Sequence, residues 1–181
     1  MLTIRPAEWP QDIALLSALE PSFATDRIYR VALEGFSFQL VEKAVTPPIK
    51  KRYDFDVADE TERAAWHFAS VAEEAGQLAG FVALEHQLWN NRVNIRHLYV
   101  QPAFRRRGVG RRLMDQVDVF AQSVKARSLW LETQNINYPA IQFYLRVGFR
   151  LCGFDTALYD PKNVLPGEIA LFFDRPVQLS R

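Results

Sequence analysis

Leu98-Tyr99-Val100-Gln101-Pro102-Ala103-Phe104-Arg105-Arg106-Arg107-Gly108-Val109-Gly110-Arg111-Arg112-Leu113 is the stretch whose reading decides the fold. A strand ends at Val100, a proline-containing turn follows, and a helix opens within the glycine run. The two glycines let backbone N–H groups point inward without Cβ obstruction. The first turn of such a helix leaves several N–H donors without intrahelical partners, at the positive end of the helix dipole. Together these features make a site for a pyrophosphate. The neighbouring arginines add positive charge where a phosphate-bearing ligand would lie. The stretch is neither common nucleotide motif, because Gly-Lys-Ser/Thr is missing and the glycine spacing fails the dinucleotide fingerprint. Taken alone it also fits a basic loop capping an ordinary helix.

Working outward, apolar residues Val109, Leu113, Val117, Phe120, Ala121 and Val124 step by three or four and predict a helix from about Gly108 to Val124. Upstream, His67–Ala72 and Leu78–Leu88 read as strands joined by a turn through Gly76, and Asn90-Asn91 turns the chain into a third strand, Val93–Val100. Downstream come a strand at Ser128–Glu132, a short helix at Pro139–Val147, and strands near Phe149–Tyr159 and Glu168–Phe173. The N-terminal third predicts a strand at Leu2–Arg5, a helix near Trp9–Leu19 and extended chain within Arg27–Val45. Thr46-Pro47-Pro48 is expected to break that pattern, and the charged residues from Lys50 to Asp59 read as a surface connection. The order predicts an α/β (α+β) domain, with a mixed sheet carrying helices on both faces.

Bulk composition sets outer bounds. The 181 residues suit one domain, with half of them apolar and a formal net charge of +1. That balance gives no extended basic face for nucleic acid. No apolar run approaches a membrane span and no leader pattern opens the chain, so a cytoplasmic protein is expected. Cys152 is the only cysteine, and His67, His86 and His97 lack zinc-ligand spacing, so no metal site is expected. Cys152 reads as a buried thiol rather than a covalent carrier.

The arginine-glycine run does not stand alone. After the next strand comes Asn137-Tyr138-Pro139-Ala140-Ile141-Gln142-Phe143-Tyr144, then Gly148-Phe149. The two stretches together resemble the signatures of the GNAT superfamily of N-acetyltransferases. In the first signature, Arg or Gln, two residues, Gly, one residue and Gly or Ala correspond to Arg105, Gly108 and Gly110. The second is similar to Asn-x-x-Ala-x-x-Phe/Leu-Tyr. The resemblance implies a sheet of about seven mostly antiparallel strands, whose fourth and fifth strands, here ending at Val100 and Glu132, splay apart. It implies one domain over 1–181, with an acceptor-side half at 1–92, an acetyl-CoA-binding core at 93–149 and C-terminal strands at 150–181.

The resemblance implies acetyl-CoA as cofactor and a small-molecule amine as acceptor, in a monomer or homodimer. Leu98, Tyr99 and Val100 would hold the pantetheine arm and polarise the thioester, with Asn137 contacting the arm. The backbone of Arg105, Arg106, Arg107, Gly108, Val109, Gly110 and Arg111 would hold the pyrophosphate. Tyr144 matches the family's general acid. Many relatives carry acidic residues on the strand before the loop; here the stretch is Ile95-Arg96-His97-Leu98. His97 is a candidate base, with Glu85 and Glu132 as rivals. The C-terminal half further resembles streptothricin acetyltransferases at Leu131-Glu132-Thr133-Gln134, Phe143-Tyr144, Val147-Gly148-Phe149 and Asp155–Tyr159, and Leu88-Trp89-Asn90 also fits. That likeness implies an acceptor cleft lined by Glu85, Trp89, Glu132, Asp155 and Tyr159. Other amines (a polyamine, an aminoglycoside, a protein N-terminus or lysine) and a non-catalytic acyl-CoA sensor remain open.

Overall fold

Strand β5 (Gln77–Gln87) organises the sheet, because its residues from Leu78 to Leu84 are buried on both faces. In the computed structural model, which describes residues 1–178, it follows β4 (Phe68–Glu74) through a two-residue turn. Ala75 and Gly76 both have positive φ there, as a type I′ hairpin requires. The other elements are β1 (Leu2–Pro6), α1 (Ile13–Ser17), β2 (Ser22–Glu34), β3 (Ser37–Arg52), α2 (Glu60–Ala64), β6 (Arg92–Val100), α3 (Val109–Ser123), β7 (Ser128–Gln134), α4 (Tyr138–Arg146), β8 (Arg150–Asp155) and β9 (Ala170–Pro176). Seven strands form one sheet in the order β1-β4-β5-β6-β7-β9-β8, and β2-β3 form a separate hairpin. The β1-β4, β4-β5, β5-β6 and β8-β9 pairs are antiparallel, while β6-β7 is parallel. The expected α/β class and mixed, mostly antiparallel sheet are thus present.

The chain divides into two compact units. The first comprises Met1–Pro21, Arg52–Leu131 and, among the described residues, 175–178. Its helices cover both faces of β5. On one face Leu16 of α1 packs into a cluster with Val71, Leu78, Phe81 and Ala83. On the other, α3 buries Val109, Leu113, Met114, Val117 and Ala121. Gly80 permits this approach. A Cβ there would lie 2.8 Å from the Tyr99 carbonyl oxygen and 3.0 Å from Leu113 Cδ1. The β6-β7 ladder runs only from Arg92–Asn94 opposite Ser128–Trp130, so Ile95–Val100 continue past its end.

The second unit is Ser22–Lys51 and Glu132–Asp174. Buried Asn135 ties it together. Its Nδ2 donates to the carbonyls of Tyr29 (2.8 Å) and Gly167 (3.1 Å), and its Oδ1 accepts from Ile169 N–H (2.9 Å). Tyr144 of α4 is buried against Phe149 and Phe173.

Four expectations need correction. The first helix is only Ile13–Ser17, because the Asp12 carboxylate accepts from Arg5 and from Glu8 N–H and does not cap the helix. Extended chain runs through Thr46-Pro47-Pro48 to Arg52, since among the described residues β3 pairs only with β2 and Pro is tolerated where no ladder donor is needed. The charged connection is shorter than Lys50–Asp59, because Lys50–Arg52 belong to β3 and Asp59 is the cap of α2, accepting from the N–H groups of Thr61 and Glu62. Cys152 is exposed, not buried.

Candidate active site

The loop before α3 is built by backbone conformation. Pro102–Phe104 form one 3-10 turn, Arg105 is extended, and Arg106 and Gly108 take φ of 59° and 84°. The left-handed region costs a side chain of Arg type roughly 1 kcal/mol or more, which marks the Arg106 turn as locally strained. Gly108 is the N-cap of α3 and supplies no side-chain acceptor to the first turn. The N–H groups of that turn are left to an outside acceptor. Phe104 and Val109 are buried and anchor the loop, while Arg105, Arg106, Arg107, Gly108 and Arg111 are exposed and Gly110 half-buried. Arg105 Nε donates to the Val100 carbonyl at 3.0 Å. Arg107 pairs with Glu74 at 2.5 Å over the Phe104 ring. Arg106 and Arg111 enter no ion pair among the described residues.

On β6, Leu98 and Val100 lie opposite Val82 and Gly80 of β5. The alternating neighbours His97 and Tyr99 join an aromatic group with Phe55 and Trp66. His97 lies 5.1 Å from Phe55, 5.3 Å from Trp66 and 5.8 Å from Tyr99, ring centre to ring centre. Burial pushes the imidazole below its ordinary value, and Glu62 offsets part of that push. His97 Nε2 bonds Glu62 Oε1 at 3.1 Å. Glu62 also accepts from Arg96 through both oxygens, at 2.9–3.0 Å, and from Trp66 Nε1 at 3.4 Å. Burial raises the Glu62 carboxyl, but the hydrogen bonds and charge of Arg96, helped by His97, outweigh it and hold it low. Glu85 faces the same guanidinium at 3.2 Å and Asn94 Nδ2 at 3.4 Å. A cleft of about 280 Å³ shares Phe55 with this group and is lined also by Leu19, Tyr53, Asp54 and Asp56.

In the second unit, Glu132 accepts from the Tyr159 hydroxyl. Burial raises the Glu132 carboxyl and the nearby Glu168 charge adds to this; Tyr159 and Lys51 act the other way. Lys51 itself pairs with Glu168, whose other oxygen accepts from Leu165 N–H at 3.1 Å. Asn137 caps α4, accepting from Ala140 N–H at 3.3 Å. Asp155 accepts from Ala157 N–H at 2.7 Å in a local turn. Trp89 sits at the β5-β6 turn, 86% exposed.

The structure therefore joins Glu132 to Tyr159 and, through Arg96 and Glu62, Glu85 to His97. It leaves Trp89 and Asp155 outside both clusters. Sequence reasoning missed Glu62 and Asn135. The first lay just past the charged run at Lys50–Asp59, in residues given no element or role; the second falls between the stretches Leu131–Gln134 and Asn137–Tyr144 that carried the motifs.

Comparison with known proteins gives concordant results. The Acetyltransferase (GNAT) family profile matches residues 26–149. A streptothricin acetyltransferase of Streptomyces lavendulae is 37% identical over 174 residues, covering 92% of this chain and 91% of that protein. Among solved structures, nourseothricin acetyltransferase superposes with a TM-score of 0.87 at 39% identity, covering 98% of this chain and 99% of that one. A candidate streptothricin acetyltransferase from Bacillus anthracis str. Ames, in complex with acetyl coenzyme A, gives 0.82 at 27% identity, over 98% of each chain. No helix among the described residues is long and apolar enough to cross a membrane.

Proposed function

This chain belongs to the acetyltransferase (GNAT) family, and from that premise we propose that it moves the acetyl group of acetyl-CoA onto a primary amine of a streptothricin-type antibiotic. The observation that carries the cofactor half is the left-handed turn at Arg106–Gly108 opening onto an uncapped α3. The residues there fit a pyrophosphate: backbone donors converge at a helix N-terminus, and Arg106 and Arg111 are exposed for charge pairing. The acceptor half rests on the 37% identity over nearly the whole chain to the Streptomyces lavendulae protein.

Acetyl-CoA, when bound, supplies a thioester carbonyl as electrophile and a thiol as leaving group. The amine nitrogen forms the new N–C bond as the C–S bond breaks, so one proton must leave the nitrogen and one must reach the sulfur. His97 accepts the first, directly or through a water. Its burial keeps the imidazole neutral near pH 7 and so able to take a proton. Tyr144 delivers the second. Glu132 and Tyr159 anchor a cationic group of the acceptor, and a bound ammonium would favour the Glu132 carboxylate against its burial.

The test is thiol release from acetyl-CoA in the presence of streptothricin, with mass spectrometry of the antibiotic. Saturable release with one added acetyl group per molecule is expected, with Tyr144→Phe lowering kcat about 10- to 100-fold. Streptothricin recovered unmodified would sink the acceptor assignment, and a wider amine panel would then identify the substrate of the family reaction.

A further inference from the structure

Glu62 stands on a five-residue helix just after the charged connection, and it bonds the one histidine on β6. Three features make this contact more than an incidental ion pair. Glu62 is itself held from the far side by both oxygens to Arg96, which in turn is steadied by Glu85, so the carboxylate is fixed in orientation. The His97 ring is fixed in plane by Phe55, Trp66 and Tyr99. Finally, the bond engages Nε2 only. Nδ1 has no hydrogen-bond partner among the described residues, and it is not among the atoms buried without one.

A carboxylate accepts and cannot donate. Neutral His97 facing it must therefore carry its hydrogen on Nε2, which leaves the lone pair on Nδ1. We propose that Glu62 is a positioning residue that locks His97 in the Nε2–H tautomer, making Nδ1 the atom that takes the proton from the acceptor amine. When Nδ1 is protonated, the ring becomes a cation beside a carboxylate that already holds its other N–H, as the carboxylate does in a hydrolase triad. The charged groups facing the ring are Glu62 from α2 and Arg96 from its own strand. Glu62 favours the cation and Arg96 opposes it. The assignment rests on the reading of His97 as the base, and it adds which nitrogen acts and what selects it.

The experiment combines ring ¹⁵N NMR of histidine-labelled full-length protein with pH profiles of kcat, for the unaltered protein, Glu62→Ala, Glu62→Asp and His97→Ala. Unaltered protein should show a protonated Nε2 and an unprotonated Nδ1 at neutral pH. Glu62→Ala should show mixed tautomers and a kcat reduced on the order of 10- to 100-fold, with the KM for the amine within about twofold. Its acid limb should move to lower pH, because the group that favoured the imidazolium is gone. Glu62→Asp should recover part of both the tautomer bias and kcat, which separates positioning from folding. A protonated Nδ1 in the unaltered protein, or a Glu62→Ala protein with unchanged tautomer and acid limb, overturns the proposal even if His97→Ala is inactive. Full activity of His97→Ala removes the base reading itself, and the proposal with it.

Discussion

Glu62 and Glu132 are the same residue in two units of one chain, and their surroundings drive them in opposite directions. Both lose solvent. Glu62 faces the guanidinium of Arg96 with both oxygens and stays ionised. Glu132 has a tyrosine hydroxyl as its partner and a second carboxyl, Glu168, in its field, and its carboxyl is raised. Burial is the first influence on each, so the difference lies in the partner. A fork of fixed positive charge outweighs desolvation where a neutral hydroxyl does not. The contrast suits two tasks: a Glu62 held ionised by Arg96 can orient a histidine, and an under-compensated Glu132 is open to a cationic ligand.

The largest effect should fall on the residue that the first carboxylate serves. His97→Ala is expected to lower kcat by about 100- to 1000-fold, with the KM for acetyl-CoA nearly unchanged. Steady-state kinetics check this, and thermal melting should show a folded protein. The neutral ring also predicts a stability trend. Because its folded pKa is depressed, the histidine's contribution is present above the ordinary value near 6.5 and is lost as pH falls through the folded value. Removing the ring should flatten that part of the stability profile.

Next in size is Arg96→Met, which leaves Glu62 in its setting without the compensating fork. The pair is partly exposed, so a loss of about 1–2 kcal/mol at pH 7 is expected by urea unfolding, not the larger figure of a sealed pair. Glu62 has a depressed folded pKa. Its contribution is therefore present above the unfolded value and vanishes as pH falls through the folded one. The gap between Arg96→Met and the unaltered protein should close along the same path. A gap that stayed constant down to low pH would mean that Arg96 acts by packing alone.

What the sequence disclosed and what it hid follow the same division. The turn before α3 was legible because its signals are contiguous: the proline, the glycines and the helix start lie within a few residues. α3 and the β4-β5 hairpin carried strong periodicity and came within about two residues of their observed ends. The Glu62–His97 contact spans 35 positions and arises only when α2 is brought to β6, so no local pattern announced it. The extension of β3 through Pro47-Pro48 was hidden for another reason. Proline reads as a breaker unless it is known that the strand has a single partner.

The smallest effect carries the sharpest test, because it turns on sign. Glu62→Gln removes a charge that Arg96 needs and should destabilise by about 1 kcal/mol at neutral pH. Glu132→Gln removes a charge whose burial opposes folding, while the amide oxygen can still accept from Tyr159. It should be neutral or stabilising by up to about 1 kcal/mol in the absence of substrate. Since the Glu132 folded pKa is raised, its favourable share is present below the unfolded value and is lost as pH rises through the folded one. The advantage of Glu132→Gln should accordingly grow across that rise and then level off. The same variant should raise the KM for a cationic acceptor, because the amide gives an ammonium no countercharge. Paired urea titrations of the two Glu→Gln proteins between pH 5 and pH 8 read the signs directly. Two losses of equal size would mean that both carboxylates are compensated alike, and the contrast between the clusters would be gone.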